Sequence, residues 1–179
     1  MKIAFDLIVA MDVNSGIGKA GGLPWYLPAD VRRFKELTSN TQSPDKKNVV
    51  VMGRKTWESL PQKFRPLPNR VNIVLTRDQI FSLPKDVLRI HSFAALSKIL
   101  VEMSERFEKI FVIGGANVFE QAMKHPDSRA IYVTQISKKF DCDTFFPPIV
   151  PPWHEVYKST ELFDQSIPYR FLEYRKKSD

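Results

Sequence analysis

Apolar positions along the chain follow two rhythms. Short runs apolar on both faces occur at IAFDLIVAM (3–11), NVVVM (48–52), VNIVL (71–75) and KIFVI (109–113). Runs with no polar side suit strands covered on both faces of a parallel sheet. VLRI (87–90) is a weaker strand, and RAIYVTQI (129–136) a further one. Between these runs, helical spacing appears at 28–38, 55–60, 93–107 and 117–124. The alternation predicts an α/β sheet with right-handed crossovers. Toward the C-terminus, HEVYKST (154–160) and PYRFLEYR (168–175) alternate and predict an antiparallel pair at the sheet edge, joined by a polar loop. FFPPIVPPW (145–153) excludes a regular element and predicts a fixed, extended connection. There is no internal repeat, low-complexity tract or linker, and 179 residues suit a single domain, 1–179.

One position breaks the pattern. In LPADVRRFKELT (27–38), Pro28 marks a helix start. Wound at about 100° per residue, the helix puts Val31, Phe34, Leu37 and Thr38 on one face, with Arg32, Lys35 and Glu36 pointing away. Asp30 falls inside the apolar arc, between Phe34 and Leu37. A first-turn acid is ordinarily explained by the helix dipole. Periodicity alone gives no reason for its place in the arc.

Composition narrows the class. Hydrophobic residues make up 43%, enough for a packed core. No apolar run approaches the roughly 20 residues of a membrane helix. The start, MKIAFDLIVAMD, has no small-residue cleavage site and reads as a first strand rather than a signal peptide. The single Cys142 excludes an internal disulfide framework and fits a reducing, cytoplasmic setting. Three scattered histidines offer no ligand spacing, and DCDT (141–144) reads as a turn, so no metal site is expected. The formal net charge is +7. Such an excess suits solubility or an anionic partner. A nucleic-acid module would need a basic stripe interleaved with aromatics, and none is present. The tail YRKKSD (174–179) reads as a solvated end.

GIGKAG (16–21) matches G-x-G-x-x-G after a strand. The dinucleotide-binding turn requires its third glycine to open a helix, whereas here no helix can begin before about Pro28. The better reading is a mobile lid over 14–26, with Gly16, Gly18, Gly21 and Gly22 for freedom and Leu23 and Trp25 for docking. The cations tell more. Gly53-Arg54-Lys55-Thr56 follows one expected strand, Thr76-Arg77 ends a second, and Gly114-Gly115 ends a third before a helix. In a parallel sheet, ligands bind outside the carboxyl ends of the strands. Parallel strands would therefore bring glycine backbone, hydroxyls and cations to one edge, as a ligand with several phosphates requires. RPLPNR (65–70) adds Arg65 and Arg70 around a proline-stiffened turn. There is no G-x-S-x-G elbow and no Ser or Cys paired with a histidine, which leaves a positioning enzyme that borrows a cofactor's chemistry.

Several stretches together resemble the dihydrofolate reductases: IVAMDVNSGIGKAGGLPW, LPADVRRFKELT, VVMGRKTWESL, RPLPNRVNIVLTR, VIGGANVFEQAM, YVTQI and DTFFP. They span nearly the whole chain in family order. The resemblance implies a mostly parallel eight-stranded sheet with flanking helices and an antiparallel C-terminal edge pair. It implies hydride transfer from NADPH to C6 of 7,8-dihydrofolate, with protonation at N5. It also implies a cytoplasmic monomer without a fused thymidylate synthase, open to antifolates such as methotrexate and with no membrane or nucleic-acid partner.

Site roles follow from the same resemblance. Asp30 would hold the pterin amino group and neighbouring nitrogen, with Thr134 bridging, and Leu23 and Trp25 would belong to the lid over the nicotinamide. Ile8, Val9, Ala10, Val31, Phe34, Leu60 and Ile113 would line the substrate site, Ile8 and Ile113 through their carbonyls. Arg70 would take the α-carboxylate of the glutamate tail. Cofactor contacts would come from Ala10, Ile17, Gly18, Gly53, Arg54, Lys55, Thr56, Leu75, Thr76 and Arg77. Further contacts would come from Ile113, Gly114, Gly115, Ala116, Asn117, Val118 and Phe119, with a cis peptide at Gly114-Gly115. Arg54 and Arg77 would read the 2′-phosphate.

The chain departs from the family at a few positions. Phe119 stands where many relatives carry Tyr, and Asn69 replaces a common Gly; Asn also accepts unusual backbone angles. Asp30 follows the bacterial pattern rather than the vertebrate Glu. An acid in an apolar pocket should have a raised pKa. A reductase of the riboflavin pathway, the nearest rival on this fold, should lack the Asp30–Phe34–Arg70 set.

Overall fold

The computed structural model describes residues 4–176. Its strands are β1 (Phe5–Met11), β2 (Gly16–Gly18), β3 (Lys47–Gly53), β4 (Arg70–Leu75), β5 (Val87–Ile90), β6 (Phe107–Val112), β7 (Ser128–Ile136), β8 (Thr144–Phe145), β9 (Trp153–Lys158), β10 (Leu162–Asp164) and β11 (Ile167–Lys176). Its helices are α1 (Pro28–Ser39), α2 (Arg54–Ser59), α3 (Phe93–Glu102) and α4 (Ala116–Lys124). The main sheet runs β10-β11-β7-β1-β6-β3-β4-β5, with β9 also on β11. β9 and β10 follow one another along the same edge of β11. The nine strands therefore fill eight positions, as expected. β7, β1, β6, β3, β4 and β5 are mutually parallel, and β11 is antiparallel to its neighbours.

Alternation along each strand splits the core in two. Phe5, Leu7, Val9 and Met11 of β1 join Val49, Val51 and Ile73 under α3 and α4. Ile8, Val50, Met52, Val74 and Phe111 face α1 and α2, against Phe34, Leu37 and Trp57. Both faces are covered, which is why these strands lack a polar side. Among the described residues no helix is long and apolar enough to cross a membrane.

Five expectations need correction. The stretch 145–153, expected to hold no regular element, gives both ends to strands: Phe145 closes β8 and Trp153 opens β9, where backbone pairing overrides the prolines between them. The helix expected over 93–107 ends at Glu102; a short 3-10 turn spans Ser104–Arg106 and Phe107 already opens β6. Phe107 satisfies the helical period but is buried as a strand residue. The polar loop before the last strand contains β10, closed onto β11 by Gln165 and Ser166 at φ 48° and 65°, the two-residue turn that suits a hairpin's twist. The tail is not simply solvated. Tyr174–Lys176 complete β11, and Lys176 donates to the His125 carbonyl at 2.6 Å, whereas 177–179 lie outside the described residues, as does Ile3 of the expected first strand.

The lid over 14–26 is also more constrained than its glycines suggest. β2 pairs with β8, Gly16 opposite Phe145 and Gly18 opposite Thr144. Asp12 accepts from the Asn14 and Gly16 amides and, across the chain, from Phe140 N at 2.9 Å. Asp143 accepts from Ala20 N at 2.8 Å. Gly16 is glycine because of a close approach, since a Cβ there would lie 2.5 Å from the Cys142 sulfur. Gly21, at φ +80°, does serve a turn.

Candidate active site

β1 and β6 part company at their carboxyl ends. Their ladder runs only through Asp6–Phe111 and Leu7–Val112, while β1 continues beside β7 to Met11–Gln135. From Ile8 onward β1 has a ladder partner on one side only. α1 leaves β1 on one face of the sheet, and α4 leaves β6 on the other. Neighbouring parallel strands whose helices depart to opposite faces open a crevice, the usual ligand site of such sheets.

Asp30 stands at this crevice on α1, half-buried. Burial pushes its carboxyl above the usual carboxylate range; a hydrogen bond from the Thr134 hydroxyl and the charge of Arg33 pull it part of the way back. Thr134 is buried on β7, beside Ala10 and Phe171. Ile8, Phe34, Leu60 and Ile113 share one apolar cluster on this face. Val9 turns its side chain to the opposite core, so only its backbone faces the crevice. Val31, at 56% exposure, is no part of the packed helix face that its spacing suggested.

Arg70 opens β4 and is only 9% exposed. Its guanidinium donates to Thr38 Oγ1 at 2.8 Å and to the Pro68 carbonyl at 3.0 Å, and lies 5.8 Å from the Phe34 ring centre. Among the described residues no carboxylate pairs with it. Burial lowers its pKa, yet a guanidinium stays charged. Asn69 before it takes φ 60°, the left-handed angle that Gly or Asn tolerates.

On the other side of the crevice the strand ends converge as expected. β3 aligns Gly53 with Leu75 of β4, and Val51 with Val112 of β6. Arg54, Lys55 and Thr56, then Thr76 and Arg77, then Ile113, Gly114 and Gly115 thus share one edge of the sheet. Gly53 N donates to Gly114 O at 2.8 Å. Gly114 has φ +120° and is joined to Gly115 by a cis peptide. A Cβ on Gly114 would sit 3.2 Å from Phe119 and 3.4 Å from Thr56 Oγ1, so only glycine lets the two turns meet. Ala116, Asn117, Val118 and Phe119 form the first turn of α4. Asn117 is exposed, whereas Val118 and Phe119 are buried in the core. Arg77 and Lys55 are exposed. Arg54 lies near Asp78 at 3.6 Å and Glu58 at 4.0 Å. Thr76 is buried and its hydroxyl accepts from Asp78 N at 3.1 Å.

The lid residues divide. Trp25 is buried against Leu27, Ile136 and Tyr169, edge-on to Phe140 at 5.3 Å, while Leu23 is 59% exposed. Ile17 packs on the larger core, and Gly18 is buried. The basic residue Arg65 donates to the Trp57 carbonyl at 3.3 Å.

Two residues of the site had no role from the sequence, although periodicity already placed Thr38 on the inward face of α1. Arg33 stacks its guanidinium on Phe171, 4.0 Å from the ring centre, and lies 3.3 Å from the Val133 carbonyl. Its spacing of three from Asp30 was a usable sign. Thr38, the partner of Arg70, lies 32 positions away and carries no such sign.

Comparison with known proteins agrees with this architecture. A family model described as dihydrofolate reductase matches residues 4–176. The chain is 45% identical over 161 residues to a dihydrofolate reductase of Drosophila melanogaster, covering 89% of this chain and 88% of the relative. It is 38% identical over 183 residues to one of Heliothis virescens, covering 98% of each. It is 42% identical over 182 residues to a bifunctional dihydrofolate reductase-thymidylate synthase of Glycine max, covering 97% of this chain but spanning 34% of that longer protein. On the length and identity of these matches, the chain belongs to the dihydrofolate reductase family.

Proposed function

We propose that this chain, as a single domain over 1–179, reduces 7,8-dihydrofolate to 5,6,7,8-tetrahydrofolate with NADPH, as a cytoplasmic monomer feeding one-carbon metabolism and thymidylate synthesis. The observation that carries the reading is Asp30: a half-buried acid backed by a buried hydroxyl, at the mouth of the split between β1 and β6. Two carboxylate oxygens match two adjacent donors on the edge of a pterin, a planar, bidentate recognition. Phe34, Leu60, Ile8 and Ile113 supply the apolar walls for the ring. The carbonyls of Ile8 and Ile113 can accept from its amino group. Arg70, buried and without an acidic partner among the described residues, suits the α-carboxylate of the glutamate tail. A guanidinium pinned by Thr38 and Pro68 offers its remaining donors in one direction.

The donor set beyond β3, β4 and β6 fits a phosphorylated nicotinamide nucleotide. Arg54, Lys55 and Arg77 bring positive charge, Thr56 and Thr76 bring hydroxyls, and Gly114-Gly115 lets the backbone come close. NADPH, when bound there, supplies the hydride that reaches C6. The chain's part is to hold the two rings face to face, to exclude water with Trp25 and its neighbours, and to bias the site toward a proton at N5 through Asp30. Asp30 is too far around the ring to be that donor directly; its charge favours the protonated nitrogen, and solvent supplies the proton.

The test is an absorbance assay. The purified protein, mixed with NADPH and dihydrofolate, should consume reduced nicotinamide, and methotrexate should stop it. A flat trace, or one that methotrexate leaves untouched, would overturn the proposal.

A further inference from the structure

The lid over 14–26 is tied down at its first turn by a carboxylate with no place in the roles above. Asp12 follows β1 and is only 1% exposed. Its Oδ1 accepts from the Asn14 and Gly16 amides, each at 2.8 Å, and its Oδ2 accepts from Phe140 N at 2.9 Å. The backbone closes the same turn: Asp12 N donates to Gly16 O, and Ser15 N to Asp12 O, both at 3.0 Å. Among the described residues no cation pairs with Asp12. Lys139 and Asp141 line the pocket beside it, but Asp141 holds Lys19 at 3.1 Å, and Lys139 has no acid within ion-pair distance.

A buried charge is costly unless hydrogen bonds replace its water. Three amides do so here, and they belong to two different segments. Asn14 and Gly16 open the lid, whereas Phe140 stands in the connection between β7 and β8. Phe140 carries the link onward. Its ring is edge-on to Trp25 at 5.3 Å, and the two share an apolar cluster with Leu27, Ile136 and Tyr169. The side-chain ties farther along the lid are weaker. Asp143, which accepts from Ala20 N, is exposed, and the Asp141 side chain is 88% exposed. A charged contact in water is screened, while a buried one is not.

We propose that Asp12 is a positioning residue of the lid: one carboxylate holds the lid's hinge and Phe140 in a fixed relation, and through Phe140 it keeps Trp25 seated. The kinetic consequence rests on the dihydrofolate reading, in which Trp25 helps to keep water from the reacting rings; the structural consequence does not. Asp12→Asn keeps the size of the side chain, but its single oxygen cannot serve all three donors. In either orientation of the amide an N–H is left facing an N–H. The hinge and Phe140 then part, and the lid spends less time closed.

The experiment follows the indole N–H signals of nitrogen-labelled tryptophan in ligand-free protein, with Trp25 assigned by Trp25→Phe. In Asp12→Asn the Trp25 signal should shift or broaden, while Trp57 and Trp153, buried in the two sheet-face cores, should keep theirs. An unmoved Trp25 signal would overturn the proposal. If all three signals collapse together, the variant has not folded, and hydrogen exchange in the wild type decides instead. The Asn14, Gly16 and Phe140 amides should then be protected as one group, and a Phe140 amide that exchanges freely while the other two are protected would overturn the proposal. With NADPH and dihydrofolate, single-turnover hydride transfer should be about tenfold slower in Asp12→Asn, within the range for losing a hydrogen bond to a charged group. Dihydrofolate affinity should change by less than about twofold, because Asp12 touches neither ring. Hydride transfer at the wild-type rate in a folded variant whose Trp25 has moved would also count against the assignment. A wild type that shows the Trp25 response yet does not turn over dihydrofolate would sink the functional reading and leave the hinge assignment standing.

Discussion

The two halves of the crevice handle charge in opposite ways. On the α1 side stand two ionisable groups, Asp30 and Arg70, to which we assign the selection of substrate. Asp30 is half-buried with the Thr134 hydroxyl and the Arg33 charge beside it, and Arg70 is buried and held by Thr38 and the Pro68 carbonyl. On the β3–β4 side, Arg54, Lys55 and Arg77 lie at the surface, and Arg54 has Asp78 and Glu58 for company. A charge shielded from water interacts strongly with whatever it meets, while an exposed one is screened. On the proposed function, the first half recognises a heterocycle with one acid, and the second needs several cations to recognise a phosphate.

The comparison can be broken most severely at Asp30. Asp30→Asn should lower single-turnover hydride transfer near neutral pH by roughly 10²–10⁴-fold, the usual scale for a proton-transfer group; near-wild-type rates would remove Asp30 from that role. Arg70→Met should raise the dihydrofolate KM by about 10–100-fold with kcat little changed, because a charged hydrogen bond is worth about 1.5–3 kcal/mol. The loss should vanish with a dihydropterin that lacks the glutamate tail, and a loss that persists would assign Arg70 to the fold alone. On the exposed side the effects shrink. Arg77→Ala should weaken NADPH binding about two- to fivefold, the range of a surface ion pair, and leave NADH binding unchanged. Equal loss for both nucleotides would place the 2′-phosphate elsewhere.

The smallest effect concerns stability and has a definite sign. Burial raises the Asp30 carboxyl above its unfolded value, so between the two the folded state binds more protons. Stability from this group is intact below the unfolded pKa and is lost as pH rises through the folded one. Asp30→Asn carries no such loss and should melt at a higher temperature than wild type at neutral pH, the advantage fading as the pH falls. Thermal melts across pH 4 to 8 would check it; a variant less stable throughout would mean that the carboxylate is not strained in its pocket. A functional group held against its solvation preference is a common cost of an active site.

Much of the fold was legible because burial on both faces leaves a direct trace in sequence. β1, β3, β4 and β6 have no polar side, and the runs IAFDLIVAM, NVVVM, VNIVL and KIFVI say so. The edge was read less completely. β10 is three residues long, and its place depends on β11 across a two-residue turn. The glycines of 16–21 were read as freedom, whereas Gly16 is required by Cys142, a residue 126 positions away. Of the site, Asp30 was visible as an acid on a greasy arc, and the cations as clusters after strands. Their meeting was legible only on the condition that the strands are parallel, which the register of β3 with β4 and β6 meets.

By itself, then, the sequence determined the long strands of the main sheet, where α1 starts, that Asp30 disturbs its helix, and that positive charge gathers after strands. These follow from spacing and side-chain chemistry within a few residues. Tertiary structure alone decided that β1 and β6 separate after Leu7 and Val112, that Thr38 holds Arg70, and that Arg33 stands behind Thr134 on a bed of Phe171. Each of those joins groups far apart along the chain. Such contacts are fixed by how whole elements pack, and no local pattern of hydrophobic and polar residues encodes them.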